Sequence, residues 1–307
     1  MTRAIRRGRQ LCLGVSASVA VSTAATIVLA SSQPLRFFRT GDGTLALSNA
    51  HTDERLRIRY RDASGEYDPA ALKQIRHVLR SRDGREGEVS LRLIELLAYV
   101  QREAKPSAIL VISGYRSPDY NAGLRGAAES SLHTQGLAAD VMLPGVDLVA
   151  LWKRLRDQRS GGVGLYRDDG YLHIDTGPAR FWEKQTSRVG EHLSAENARL
   201  FARTEFDVYQ SLEDAWVELH SITLFPVHVS SRARLAGYPD ALIRLKGGDG
   251  VCVAISEPAE RQRIYIESIR NMPRTQGRRT RVLLSTCEPR LGHTPATIES
   301  NEIEIVG

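Results

Sequence analysis

Residues 131–141 read SLHTQGLAADV, with His133 and Asp140 seven positions apart in a run of small and apolar residues. An unpaired carboxylate buried among such neighbours costs several kcal/mol or takes up a proton. Asp140 is therefore either exposed or matched by a positive partner, an arginine or a metal ion. Residues 137–143 form an apolar run of strand length, and residues 108–112 (AILVI) form another. Residues 161–166 and 171–175 are two more, set around an Arg-Asp-Asp-Gly turn. In residues 171–175, YLHID, strand alternation puts Tyr171, His173 and Asp175 on one face and Leu172 and Ile174 on the other. Two histidines and one aspartate make three ligands with a fourth position open, the pattern of a catalytic zinc site.

Helices are expected around these strands. Asp68 is placed to cap a helix that opens at Pro69, with Leu72, Ile75, Val78 and Leu79 as its apolar stripe. Residues 89–103 and 146–159 carry apolar positions at helical spacing, and residues 118–126 suit a short helix and loop. Residues 44–61 have extended character. Helices followed by strands give an α+β class. Residues 194–219 look helical, which makes 189–221 a helical connector. From residue 222 onward about six short strands alternate with Gly- and Pro-bearing turns, enough for a small β-rich barrel or sandwich. The expected organisation is a targeting segment over 1–33, a catalytic domain over 44–188, the connector, and a β-rich domain of unknown role over 222–307.

The chain has 307 residues and a formal charge of +6. Its Lys and Arg residues are scattered without an aromatic-basic stripe, so a nucleic-acid partner is not expected. Four arginines within residues 1–10 precede an uncharged run over 11–30, which reads as a signal peptide or a single membrane anchor. The remainder is then exported to the periplasm or cell envelope, with the N-terminal segment contacting the inner membrane. Cys252 and Cys287 are an even pair in such a compartment, either a disulfide or two buried thiols.

Several motifs stand in one order: Ser113-Gly-Tyr-Arg-Ser117, Asn121, Leu124-Arg125, residues 131–140, Gly162-Val-Gly-Leu-Tyr166, His173-Ile-Asp-Thr-Gly-Pro178 and Trp182. With Leu47-Ser-Asn-Ala-His-Thr52, Arg59-Tyr60-Arg61 and Tyr67, this order resembles the murein endopeptidase K type of zinc peptidase. Those enzymes belong with the D-alanyl-D-alanine metallopeptidases and share a fold with lysostaphin and the hedgehog signalling domain. The resemblance runs from about residue 47 to 182. It implies a hedgehog/D-Ala-D-Ala-peptidase-like zinc domain with His133, Asp140 and His173 as the Zn2+ ligands, and peptidoglycan crosslinks or stem peptides as substrate. Zinc lowers the pKa of a bound water and polarises the scissile carbonyl. Arg116 is expected to hold the substrate carbonyl or oxyanion, its alternative being an ion pair with a nearby acid. Tyr115, Ser131 and Gln135 are expected at the substrate or behind the ligands; for Ser131 and Gln135 the alternative is bracing a turn.

Related dipeptidases place an acid three residues before the last histidine, where this chain has Gly170. Asp175 is the expected general base, with Asp168 and Asp169 as the next candidates. The departure keeps a non-catalytic cell-wall-binding module open beside the peptidase, and a D-alanyl-D-alanine carboxypeptidase is the alternative enzyme. His51 is expected to be structural and His77 to lie on a helix surface, and Gly161-Gly-Val-Gly164 to mark a close backbone approach.

Overall fold

A computed structural model describes residues 35–124, 131–184, 200–213, 215–221, 227–246, 252–255, 263–275, 277–287 and 294–307. The expected targeting segment lies outside them. The first half builds a seven-stranded mixed sheet from β1 (Thr44–Asn49), β2 (Arg55–Arg59), β3 (Ile109–Ser113), β4 (Ala138–Met142), β5 (Gly162–Tyr166), β6 (Tyr171–Asp175) and β7 (Arg180–Lys184), in the order β2-β1-β3-β4-β6-β5-β7. The β1–β3 and β5–β7 pairs are parallel and the others antiparallel. Four helices accompany it: α1 (Pro69–Val78), α2 (Leu91–Ala104), α3 (Pro118–Ala122) and α4 (Leu148–Asp157). The chain is mixed α+β, as expected.

Local chemistry sets the helix starts. The Asp68 carboxylate accepts from the Ala70 N–H at 2.8 Å, with Pro69 in the first turn. Asp147 does the same for α4 through the N–H groups of Val149 and Ala150, each at 3.0 Å. The apolar stripes of α1, α2 and α4 then bury Ile75, Leu93, Leu97, Leu151 and Leu155 in one core. Alternation in the central strands supplies the other side of that core: Ala139, Val141, Val163, Leu165, Leu172 and Ile174. The residues between them, among them Asp140, Gly164 and His173, therefore face away from the helices.

One carboxylate inside this core explains part of the motif order. Glu95 of α2 is fully buried and accepts from Tyr60 Oη and Tyr67 Oη at 2.9 Å and from Arg61 Nε at 2.8 Å. The Arg-Tyr-Arg segment and Tyr67 thus satisfy a buried acid and fasten the sheet edge to α2.

Among the described residues, the regular elements of the second half are all strands. It comprises β8 (Leu200–Thr204), β9 (Val208–Tyr209), β10 (Trp216–Ser221), β11 (Val227–Leu235), β12 (Tyr238–Leu245), β13 (Cys252–Ile255), β14 (Arg263–Arg270), β15 (Val282–Thr286), β16 (Thr297–Glu299) and β17 (Glu304–Ile305). Seven of these run β16-β15-β11-β12-β14-β10-β8, with β13 added on β11, while β17 pairs with β9. The sheet has its own core, including Val217, Val229, Ile243, Ile266, Val282 and Leu284. Cys252 and Cys287 form a disulfide.

The expected helix over 194–219 is corrected here. Its described residues form β8, β9 and β10, and β10 pairs with both β8 and β14. Its apolar residues fall in short runs that fit either spacing; sheet neighbours to pair with decide for strand. β7, parallel to β5, was not expected.

The two halves meet at a small separate cluster. Leu132 and Leu137 from the turn before β4 and Ala138 at its start pack with Phe201 of β8. Gln135 Oε1 lies 2.9 Å from His220 Nδ1 of β10, and Arg203 Nε donates to the Thr176 carbonyl at 2.7 Å. These contacts fall beside the segment that carries His133.

Candidate metal centre

The sheet register brings five residues into one row. Ser113 lies opposite Asp140, Asp140 opposite His173, His173 opposite Gly164, and Gly164 opposite Trp182. Directly opposed residues project from the same face. The row therefore crosses five strands on the face turned away from the helices. His133 joins it from the turn before β4, which is tied to the segment after β3 twice: its Nδ1 lies 2.8 Å from the Gly114 carbonyl, and its own carbonyl accepts from the Arg116 N–H at 3.1 Å.

Three atoms converge from this arrangement. His133 Nε2 and His173 Nδ1 are 3.2 Å apart, His173 Nδ1 and Asp140 Oδ1 2.9 Å, and His133 Nε2 and Asp140 Oδ1 3.4 Å. Tetrahedral zinc with bonds of about 2.0–2.1 Å needs ligand separations of about 3.3–3.4 Å. The triangle is close to one face of that tetrahedron. It is the one group of three or more such side chains among the described residues that meets the spacing a metal requires, and all three are buried.

Each of the three atoms is aimed by a second contact at the far side of its group. The Gly114 carbonyl takes the Nδ1 hydrogen of His133, which leaves Nε2 with its lone pair turned inward. Asp175 Oδ2 lies 2.9 Å from His173 Nε2 and fixes the opposite tautomer there, with Nδ1 inward. Asp140 Oδ2 accepts from Arg116 Nη2 at 2.6 Å, leaving Oδ1 for the histidines. Arg116 is itself held by Ser113 Oγ at 2.8 Å. Bonds of this kind fix tautomer and orientation and raise ligand basicity.

The electrostatics agree. Burial alone would raise the Asp140 carboxyl, but the pull of His133 and His173 outweighs it and holds the pKa well below the usual range. Burial lowers the pKa of His133. It also opposes protonation of His173, yet bonds to Asp140 and Asp175 win and raise that group. Of the partners expected for Asp140 the arginine is present at one oxygen, and the other oxygen faces two imidazole nitrogens.

Asp175 is where the structure departs most from expectation. It is fully buried and accepts from the N–H groups of Gly162 at 3.0 Å and Gly177 at 2.7 Å. Arg180 Nη2 lies at 2.6 Å. Its pKa is lowered, burial being outweighed chiefly by Arg180 and His173. A carboxylate this fully engaged, on the outer side of His173, is not placed to collect a proton at the ligand triangle. Asp175, the expected base, meets His173 Nε2 on the side away from the three converging atoms. Gly170 has φ +69° at the hairpin between β5 and β6, where Asp168 is exposed.

Other expectations resolve locally. Ser131 accepts from Thr134 through its carbonyl and from the His133 N–H through Oγ at 3.3 Å, so it braces the turn. Gln135 reaches His220, and the Tyr115 ring lies against Gly87. His51 meets the Ile112 carbonyl, and His77 lies between Glu54 and Glu86. The glycine run is a close approach twice over. A Cβ on Gly162 would fall 2.1 Å from the Asp175 carboxylate, and one on Gly164 2.3 Å from the Trp182 indole. Trp182 lies across Gly164 with its ring 5.1 Å from that of His173. The partners of Asp175, and the pairing of His220 with Gln135, were not foreseen; neither has a local spacing signal.

Two buried histidines and one buried carboxylate, each fixed from behind, meet the spacing a metal ion requires. Comparison with known proteins narrows the class. The sequence model described as peptidoglycan L,D-endopeptidase MepK matches residues 40–182. The peptidoglycan L,D-endopeptidase MepK of Escherichia coli (strain K12) is 37% identical over 146 residues, covering 45% of this chain and 79% of that protein. The probable enzyme of the same name from Haemophilus influenzae is 34% identical over 146 residues, covering 45% and 78%. The chain belongs to this MepK family. The similarity spans the first sheet and every residue of the row, and the strands from β8 onward lie outside it. No solved structure matches the chain significantly.

Proposed function

We propose that the chain is an exported zinc peptidase that hydrolyses peptide bonds of peptidoglycan, with the L,D-type crosslink named for its relatives as the bond cut. The observation that carries this reading is the triangle of His133 Nε2, Asp140 Oδ1 and His173 Nδ1, in a chain whose relatives are peptidoglycan endopeptidases. Residues 44–188 then form the catalytic domain of the hedgehog/D-Ala-D-Ala-peptidase type, and the β-rich half is an addition to it.

In this reading His133, Asp140 and His173 hold the zinc. Bound there, zinc supplies Lewis acidity toward water and toward the scissile carbonyl. The chain's own groups do the positioning. Asp175 keeps His173 in the tautomer that presents Nδ1. Arg116 keeps Asp140 from turning both oxygens inward. Its Nη1 has no hydrogen-bond partner among the described residues and suits a substrate carbonyl. Trp182 covers one flank of His173 and limits water there. Export follows from the basic and then uncharged N-terminal segment, whose end facing the inner membrane is either cleaved or retained.

The test is digestion of defined crosslinked muropeptides by the purified chain, with and without a chelator, resolved by mass spectrometry. Metal-dependent loss of the crosslink supports the reading. Release of terminal D-alanine alone would make the chain a carboxypeptidase, and no product would make it a binding module.

A further inference from the structure

A cavity of about 720 Å3 lies between the two halves. Residues of the family-matched half form one wall, and β8, β16 and their neighbours form the other. Its volume is that of a small-molecule site. Its lining is strongly cationic: six arginines face three carboxylates, an excess of three positive charges.

The pairing within it is uneven. Arg279 is matched by Glu302 at 3.0 Å and Arg281 by Glu299 at 2.7 Å. Asp207 is taken by Arg92, by Asn301 Nδ2 at 2.9 Å and by the Phe38 N–H at 3.0 Å. Arg39 and Arg203 are left with main-chain carbonyls, those of Gln158 and Thr176. Among the described residues neither has a carboxylate within ion-pairing distance. Burial lowers the pKa of both, that of Arg203 to about 9. Both guanidiniums are partly buried, and the carboxylates that act on them, Asp207 above all, do so from beyond ion-pairing distance. A planar guanidinium is also the group that best matches a carboxylate or phosphate.

We propose that this cavity binds a small ligand bearing an oxyanion, carboxylate or phosphate, with Arg39 and Arg203 as its cationic contacts. Apolar walls at Phe37, Phe201 and Ile298 fit an organic anion better than a bare ion. The site exists only where both halves are present, because Arg203 comes from β8 and Arg39 from the segment before β1.

The experiment is calorimetric titration of the full chain with two probes: a soluble peptidoglycan stem tetrapeptide, which carries carboxylates and no phosphate, and inorganic pyrophosphate. The wild type should bind at least one probe at one per chain in the cavity, more weakly as salt is added. The probe that binds identifies the source of the anion. Arg39→Gln and Arg203→Gln should each weaken that binding at least tenfold. The peptide can also reach the metal centre, so only binding lost in these variants counts. Arg203→Lys, which keeps the charge, should bind more tightly than Arg203→Gln. If Arg203→Gln fails to fold by melting, Arg39→Gln decides alone. Absence of binding by both probes, or binding by the Gln variants equal to wild type, overturns the proposal, whether or not the chain proves to be a peptidase.

Discussion

Replacing Asp175 by Asn keeps the side chain's shape but changes what it can do. In the wild type its oxygens accept from two backbone N–H groups, from Arg180 and from His173. The amide has one acceptor oxygen and one donor nitrogen. If the oxygen keeps Gly162 and Gly177, the nitrogen confronts the donors of Arg180 and His173. Arg180 loses its buried counter-charge, a change that costs about 3–5 kcal/mol. At about 2–4 °C per kcal/mol for a chain of this size, Tm should fall by about 6–20 °C. His173 must also turn its lone pair outward to accept from the amide. Its hydrogen then moves to Nδ1, inside the ligand triangle. Zinc affinity should fall about 10–100-fold, as when other partners behind a metal ligand are removed. Thermal melting and competition against a zinc-binding dye measure the two effects. An Asp175→Asn chain with wild-type melting and wild-type zinc affinity, lacking only turnover, would refute this account and restore Asp175 as the base.

Arg116→Ala frees Asp140 Oδ2 and should lower zinc affinity about 10–100-fold along with turnover; unchanged affinity with lost turnover would mean that Arg116 acts on substrate alone. Gly164→Ala drives a Cβ to 2.3 Å from the Trp182 indole. It should cost about 1–3 kcal/mol and alter Trp fluorescence, and a neutral result by both would show that the indole is free to move. A chain cut back to residues 35–188 should fold and bind zinc but melt lower, because Leu132, Leu137 and Ala138 lose Phe201 and Gln135 loses His220. A fragment that neither folds nor binds zinc would make the two halves one domain.

Much of the site was legible because strand alternation is a strict rule. It placed His173 and Asp175 on one polar face, and an acid in an apolar run announced that Asp140 needed a partner. The choice among partners was not legible. Arg116 and His133 reach Asp140 from the loops after β3 and before β4, segments with no common spacing. The role of Asp175 depends on β7, whose Arg180 supplies the counter-charge, and a five-residue strand of mixed polarity gives little signal of its own. The region around Leu200 and Trp216 fits helical and extended spacing alike, and only its neighbours in the second sheet select strand. Gly162 and Gly164 could be read as a close approach, but not what approaches them.

In the proposed site, His133, Asp140 and His173 together hold one zinc ion. The most direct test is the metal content of the purified chain and of His133→Ala, Asp140→Ala and His173→Ala, measured by elemental analysis after dialysis against trace zinc. One zinc per wild-type chain and close to none in each folded variant is the predicted result. Full zinc occupancy in any one of the three variants would contradict it.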